Sequence, residues 1–228
     1  MNFIEGEILY IDKPYTWTSF QLVKVVRGKL RSRLNVRRLK VGHAGTLDPL
    51  ATGVMILCTG KKTKEIERLQ AGVKEYTATI KLGATTPSFD LETEVDAEYP
   101  TDHITEEMVR EKLKDFVGEI QQIPPNFSAL KVDGKRAYDL ARKDVQFKLK
   151  PRLLVIDNIA LVKYDMPYIT ISVVCSKGTY IRALARDIGK SLQSGGHLTG
   201  LVRTRVGDAT LEQCLKVDEL DDFFDENI

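Results

Sequence analysis

Cysteine is scarce in this chain of 228 residues: Cys58, Cys175 and Cys214 stand far apart, and no two form a Cys-x-x-Cys pair. That pattern supports neither a disulfide framework nor a zinc site, so no metal is expected and the thiols should be reduced. Long apolar runs are missing too. The longest, 54–58 and the alternating 169–175, fall far short of the ~20 residues that cross a bilayer, so no membrane association is expected. Near its start the chain has Glu5 and Glu7 where a signal peptide carries a basic and then an apolar region, and a cytoplasmic location is the expectation. There is no internal repeat.

Net charge is small as well, at +2. It conceals blocks of opposite sign. Residues 24–40 hold Lys24, Arg27, Lys29, Arg31, Arg33, Arg37, Arg38 and Lys40 with no acid among them, and 131–152 form a second basic block. Acids gather in 90–119 and 218–226. A basic stripe suits a polyanion, because each neutralised phosphate releases condensed counterions; a solvated helix surface would look the same in sequence. With 43% hydrophobic residues, a buried core is within reach.

Local patterns supply the elements. A strand over 7–13 ends at Pro14, and Thr18 or Ser19 caps a helix with Phe20, Val23, Val26 and Leu30 on its apolar face. A strand over 39–41 leads into a glycine-rich loop, 54–58 reads as a buried strand and 63–69 as a helix. Tyr76, Ala78, Ile80 and Leu82 then alternate with Thr77, Thr79 and Lys81, as a half-buried strand requires. Residues 84–102 read as a surface excursion with one strand near 93–99. Thr105 caps an amphipathic helix carrying Met108, Val109, Leu113 and Phe116. Beyond Pro124-Pro125 lies a long insertion, 127–144, of the kind that binds ligands, with a short helix near 136–142. Strands over 153–163 and 168–175 pair as a hairpin, Gly178-Thr179 opens a helix, and a last strand spans 198–206. Without βαβ alternation the class is α+β, with a mixed, largely antiparallel sheet and flanking helices.

In residues 42–53, Gly42-His43-Ala44-Gly45-Thr46-Leu47-Asp48-Pro49-Leu50-Ala51-Thr52-Gly53, three glycines and a proline surround one carboxylate. Glycine permits positive φ or close backbone approach, and Pro49 biases Asp48 toward extended geometry. Asp-Pro by itself is an ordinary turn pair. The whole stretch, however, resembles the catalytic motif of the TruB-type tRNA pseudouridine synthases. The resemblance continues through Asp12-Lys13-Pro14 with Thr18-Ser19, Lys74-Glu75-Tyr76, Ile123-Pro124-Pro125-Asn126-Phe127-Ser128-Ala129-Leu130-Lys131 and Ser176-Lys177-Gly178-Thr179-Tyr180-Ile181-Arg182, covering about residues 5–207. It implies the pseudouridine synthase fold, with a catalytic domain over 1–207 and an RNA-binding insertion over 124–150. Residues 208–228 would be a short acidic extension, in place of the PUA domain into which many relatives continue.

The resemblance further implies that a uridine in the T loop of tRNA, position 55, is isomerised to pseudouridine without a cofactor. Breaking the N1–C1′ bond, turning the base and rejoining it through C5 needs a charged group near C1′ and C6, a stacking surface and a closed pocket. Asp48 is implied as the charged group, Tyr76 as the stacking face and Arg182 as the partner of the aspartate. Tyr180 resembles a second pocket tyrosine, Leu201 an apolar wall, and His43 a residue that holds the target nucleotide. An arginine beside Asp48 would oppose the rise in pKa that burial produces. Attack at C6, attack at C1′ and a glycal-like intermediate all remain open. Arg31, Arg33, Arg37, Arg38, Lys131, Arg136 and Arg142 are the candidates for contacts to the RNA backbone of the T arm, and a monomer is expected. Thr16 stands where the family usually has glycine, and Val202 where a basic residue often occurs. The competing readings are the same chemistry on another RNA and an RNA chaperone that retains the fold without catalysis.

Overall fold

The computed structural model describes residues 1–228 except Ala129, Asp133 and Asp144, which fall in the 124–150 insertion. The chain divides into two units, Met1–Tyr76 with Leu201–Ile228, and Thr77–Gly200.

In the first unit, β1 (Ile8–Lys13) turns Leu9, Ile11 and Lys13 inward. Helix α1 (Ser19–Arg33) begins at Thr18, whose hydroxyl accepts from the Gln21 N–H while the Gln21 side chain accepts from the Thr18 N–H. This capping box satisfies two N-terminal donors. The buried stripe is Ser19, Leu22, Val23, Val26 and Leu30, whereas Phe20 is 63% exposed, against expectation. At about 100° per residue Phe20 falls roughly a quarter turn off the stripe's axis, while Leu22, Val26 and Leu30 follow one another at i, i+4. Strand β2 (Val41–His43) starts two residues later than the pattern predicts. It pairs antiparallel with β3 (Ala51–Thr59), which also takes β1 antiparallel from Ile8↔Cys58 to Lys13↔Gly53. A 3₁₀ turn over Gly60–Glu65 displaces the expected helix to α2 (Ile66–Ala71). Strand β4 (Lys74–Leu82) buries Lys74, Tyr76, Ala78, Ile80 and Leu82 on one face, as the alternation requires.

The second unit begins within β4. The excursion after it contains a two-residue ladder, Ala84–Thr85 with Ala97–Glu98. Helix α3 (Glu106–Lys114) is capped by the Thr105 hydroxyl, which accepts from the Met108 N–H; Val109 and Leu113 are buried, Met108 is not. Strand β5 (Gly118–Gln122) is not among the expected elements, since Gly-Glu-Ile-Gln-Gln has Ile120 as its single β-branched residue and no aromatic to mark a strand. It pairs antiparallel with β6 (Arg152–Asp165), which forms the expected hairpin with β7 (Tyr168–Cys175). Helix α4 (Ile181–Ser191) follows, then β8 (Gly196–Val206), which carries the chain back to the first unit.

There Leu201–Arg203 lie parallel to Ala51–Gly53, which makes the sheet mixed, as expected. The acidic end folds as α5 (Leu220–Asn227) with Leu220 and Phe224 fully buried, and Phe224 meets Phe3 edge-on at 5.5 Å. Among the described residues no helix is long and apolar enough to cross a membrane.

Candidate active site

The loop between β2 and β3 carries Asp48, half-buried, and it is gripped along its length. On one side the Ser19 hydroxyl accepts from the Leu47 N–H and donates to the Leu47 carbonyl, both at 2.9 Å. Across the turn the Ala51 N–H donates to the Asp48 carbonyl at 3.1 Å, and the Thr16 N–H to the Pro49 carbonyl at 2.9 Å. Thr16 holds that contact with φ 70°, an unusual conformation for a β-branched residue. Gly53 is required: its φ is +102°, and a Cβ there would lie 2.2 Å from the Arg203 carbonyl oxygen of the adjacent parallel strand.

Two buried cations secure the loop. Arg203, on β8, is 1% exposed and spends its guanidinium on backbone carbonyls, those of Val54 at 2.7 Å, Gly45 at 3.2 Å and Thr46 at 3.4 Å. Lys13, at the end of β1, is fully buried, and its ammonium donates to the carbonyls of Trp17 at 2.6 Å, Pro14 at 2.9 Å and Pro49 at 3.3 Å. Burial pulls the Lys13 pKa down to about 8, with the Asp48 charge acting against the shift and Arg203 reinforcing it.

That depression has a sign in stability. An unfolded lysine titrates near 10.5, so between pH 8 and 10.5 the unfolded chain binds a proton that the folded one has released. Stability should rise with pH across this window by about 3 kcal/mol from this group alone. Below pH 8 both states are protonated and the gain is absent. Lys13→Met keeps the bulk without the titration, so in urea unfolding the stability of the parent relative to the variant should increase between pH 7.5 and 10, the opposing titrations of Cys58 and Cys214 being common to both proteins. Parallel profiles would mean that Lys13 titrates normally.

The other expected residues of this unit lie on the same framework. His43 ends β2, half-buried, its pKa lowered by burial and then by the Arg203 charge, so the neutral imidazole is favoured. Leu201 pairs with Ala51, three residues beyond Asp48, and is 9% exposed. Tyr76 is 8% exposed on β4. The start of β4 is tied to β8 by the Glu75–Arg205 ion pair at 3.0 Å and by the Gly207 N–H on the Val73 carbonyl at 2.8 Å. The fold thus gathers His43, Asp48, Tyr76 and Leu201 into one unit.

Tyr180 and Arg182 belong to the other. The helix expected to open at Gly178-Thr179 starts later, at Ile181, and Tyr180 is the extended residue before it. Buried Gln122 grips its peptide twice, Oε1 accepting from the Tyr180 N–H at 2.9 Å and Nε2 donating to its carbonyl at 3.1 Å. Arg182 opens α4 and is 4% exposed. In this unit its guanidinium faces the buried Asp90 carboxylate at 3.6 Å, and it donates to the carbonyls of Phe127 at 2.9 Å and Ser88 at 3.2 Å. A buried arginine so bound is fixed in direction.

Some residues of the basic blocks are paired with acids within the protein. Lys29 pairs with Asp221, and Arg33 with Asp221 at 2.9 Å and Asp225 at 2.5 Å, so α5 takes up part of the charge of α1. Arg142 pairs with Glu92 at 2.6 Å and stacks with Arg136 about the Tyr138 ring. Arg31, Arg37, Arg38, Lys131 and Arg136 are exposed. Around the insertion, Lys131–Val132 pairs with Lys135–Arg136 and a helix spans Ala137–Ala141.

Lys13, Arg203, Asp90 and Gln122 escaped the sequence reading as site residues. For the two cations a signal existed: Lys13 continues the inward alternation of Leu9 and Ile11, and Arg203 that of Leu201. For Asp90 and Gln122 there was none, since Asp90 sits in an acidic turn and β5 was not recognised. Among the described residues, no group of three or more His, Cys, Asp or Glu could hold a metal ion.

Comparison with known proteins matches residues 31–181 to the family description "TruB family pseudouridylate synthase (N terminal domain)" and 182–227 to "tRNA pseudouridylate synthase B C-terminal domain". A protein of Parabacteroides distasonis named tRNA pseudouridine synthase B is 64% identical over 228 residues, which are all of this chain and 97% of that protein. One of the same name from Bacteroides fragilis is 69% identical over 215 residues, covering 94% of this chain and 92% of its own. Among solved structures, a chain of a Cbf5-Nop10-Gar1 complex superposes with a TM-score of 0.71 at 26% identity, over 99% of this chain and 57% of that one. A chain of an H/ACA RNP bound to a substrate RNA containing 2′-deoxyuridine gives 0.70 at 25%, over 99% and 56%.

Proposed function

The chain belongs to the TruB family of pseudouridylate synthases, isomerases that act on RNA, and from that premise we propose that it converts uridine 55 in the T loop of tRNA to pseudouridine. The observation that carries this reading is the grip on the Asp48 loop. A carboxylate whose backbone is held by Ser19, Thr16, Lys13 and Arg203 is positioned before substrate arrives, which is what stabilisation of a charged transition state requires.

In this reading Asp48 is the essential carboxylate and Tyr76 the face on which the flipped base stacks. His43, Tyr180, Arg182 and Leu201 bind the substrate nucleotide. The catalytic domain spans 1–207, residues 124–150 grip the RNA, and the enzyme works as a cytoplasmic monomer. Gln122 and Asp90 support the reading, because they fix the backbone of Tyr180 and the head group of Arg182. The direct test is incubation with an unmodified tRNA transcript followed by chemical derivatisation to map pseudouridine. Product at position 55 is expected. Product elsewhere would indicate another target, and tight binding without product would favour a chaperone.

The contrast between ion-paired Arg33 and exposed Arg37 and Arg38 makes a separate prediction. Arg37→Ala and Arg38→Ala should each lower the slope of log affinity for tRNA against log salt concentration by about 0.7 to 0.9. Arg33→Ala, whose charge already sits on Asp221 and Asp225, should lower it much less. Equal slopes for all three variants would show that α5 yields Arg33 to RNA.

A further inference from the structure

Phe89 stands in the left-handed region, with φ 63°. Glycine or asparagine is the ordinary occupant there, and an aromatic residue is strained. The residues on either side of it both serve Arg182: the Ser88 carbonyl accepts from Nη1 at 3.2 Å, and the Asp90 carboxylate faces Nε at 3.6 Å. In an extended strand the backbone carbonyls lie in the plane of the sheet while the side chains stand roughly perpendicular to it. The turn at Phe89 directs a carbonyl and a carboxylate onto one guanidinium.

What holds the strained residue is visible on both its backbone and its ring. Its N–H donates to the Thr86 carbonyl at 3.1 Å, and its carbonyl accepts from the Leu198 N–H at 2.9 Å. The guanidinium of Arg186, one turn beyond Arg182 on α4, covers the ring at 4.7 Å from its centroid. Arg186 is itself fixed by the Asp187 carboxylate at 2.8 Å and the Ile123 carbonyl at 3.1 Å.

We infer that Phe89 is a positioning residue for the isomerisation: stacked under Arg186, it holds the strained turn that presents Ser88 and Asp90 to Arg182. The inference rests on the reading of Arg182 as a substrate-site residue. Its experiment compares single-turnover rates and half-saturating enzyme concentrations on an unmodified tRNA transcript for Phe89→Ala, Phe89→Gly and Phe89→Asn, with Arg182→Ala as the reference. Alanine removes the stack and keeps the disfavoured conformation, so its rate should fall about tenfold with half-saturation within about twofold of the parent. Glycine and asparagine suit the left-handed region and should recover most of that loss. A parent-like rate for Phe89→Ala overturns the inference, as does an equal loss in all three, which would mean that the ring itself meets the substrate. Should Phe89→Ala fail to fold, Arg186→Gln is compared in the parent and in the Phe89→Gly background. It should slow the first severalfold and the second much less; equal effects overturn the inference. A parent-like rate for Arg182→Ala removes the reading of Arg182 instead.

Discussion

Asp48→Asn should lose about a thousandfold or more in single-turnover rate on tRNA while binding it with affinity close to that of the parent. The amide fills the same volume, and the grip on the loop acts through the peptide groups of Leu47, Asp48 and Pro49, so the backbone should stay in place. What disappears is the negative charge, which attack at C6, attack at C1′ and ribose deprotonation all need. Quench-flow rates with filter-binding affinities separate the two quantities. Appreciable product from the asparagine variant, beyond what spontaneous deamidation explains, would remove Asp48 from the chemistry.

Arg203→Leu should destabilise the protein by about 3 to 5 kcal/mol in urea unfolding. The substitution leaves the carbonyls of Val54, Gly45 and Thr46 without this donor, the first two in buried contacts and the third in a half-buried one. Unsatisfied buried acceptors cost about 1 to 3 kcal/mol each and are not strictly additive. It also removes a positive charge that depresses Lys13 and His43, so His43 should titrate at higher pH in the variant, a shift readable by NMR. Arg203→Lys, which keeps the charge but cannot span three carbonyls, should fall between the parent and Arg203→Leu. A loss below about 1 kcal/mol would mean that the loop is held by Ser19 and Lys13 without it.

Much of the framework behind these results was readable along the chain. The caps at Thr18 and Thr105 depend on partners three residues away, and the strand face of Tyr76, Ala78, Ile80 and Leu82 on a period of two. The motif around Asp48 was legible through its resemblance to a known family, whereas its residues alone read equally as an ordinary Asp-Pro turn. Phe20 was misjudged because a helical face is centred by what covers it, and a residue at the stripe's edge satisfies the spacing without being covered. β5 was missed because its place between a turn and β6, not its residue types, makes it a strand.

By itself, then, the sequence determined the loop that bears Asp48 and most of the helices and strands around it, since these follow from short-range geometry and residue type, while the class of chemistry came from the motif's resemblance to a known family. Only the tertiary structure decided that Lys13 and Arg203 are buried cations on the Asp48 loop and that Asp90 and Gln122 orient Arg182 and Tyr180. It also decided that α5 takes up part of the charge of α1. The physical reason is the same in each case. Desolvation and hydrogen bonding of a polar side chain depend on what lies across from it, and Val54 reaches Arg203 from 149 residues away in the chain.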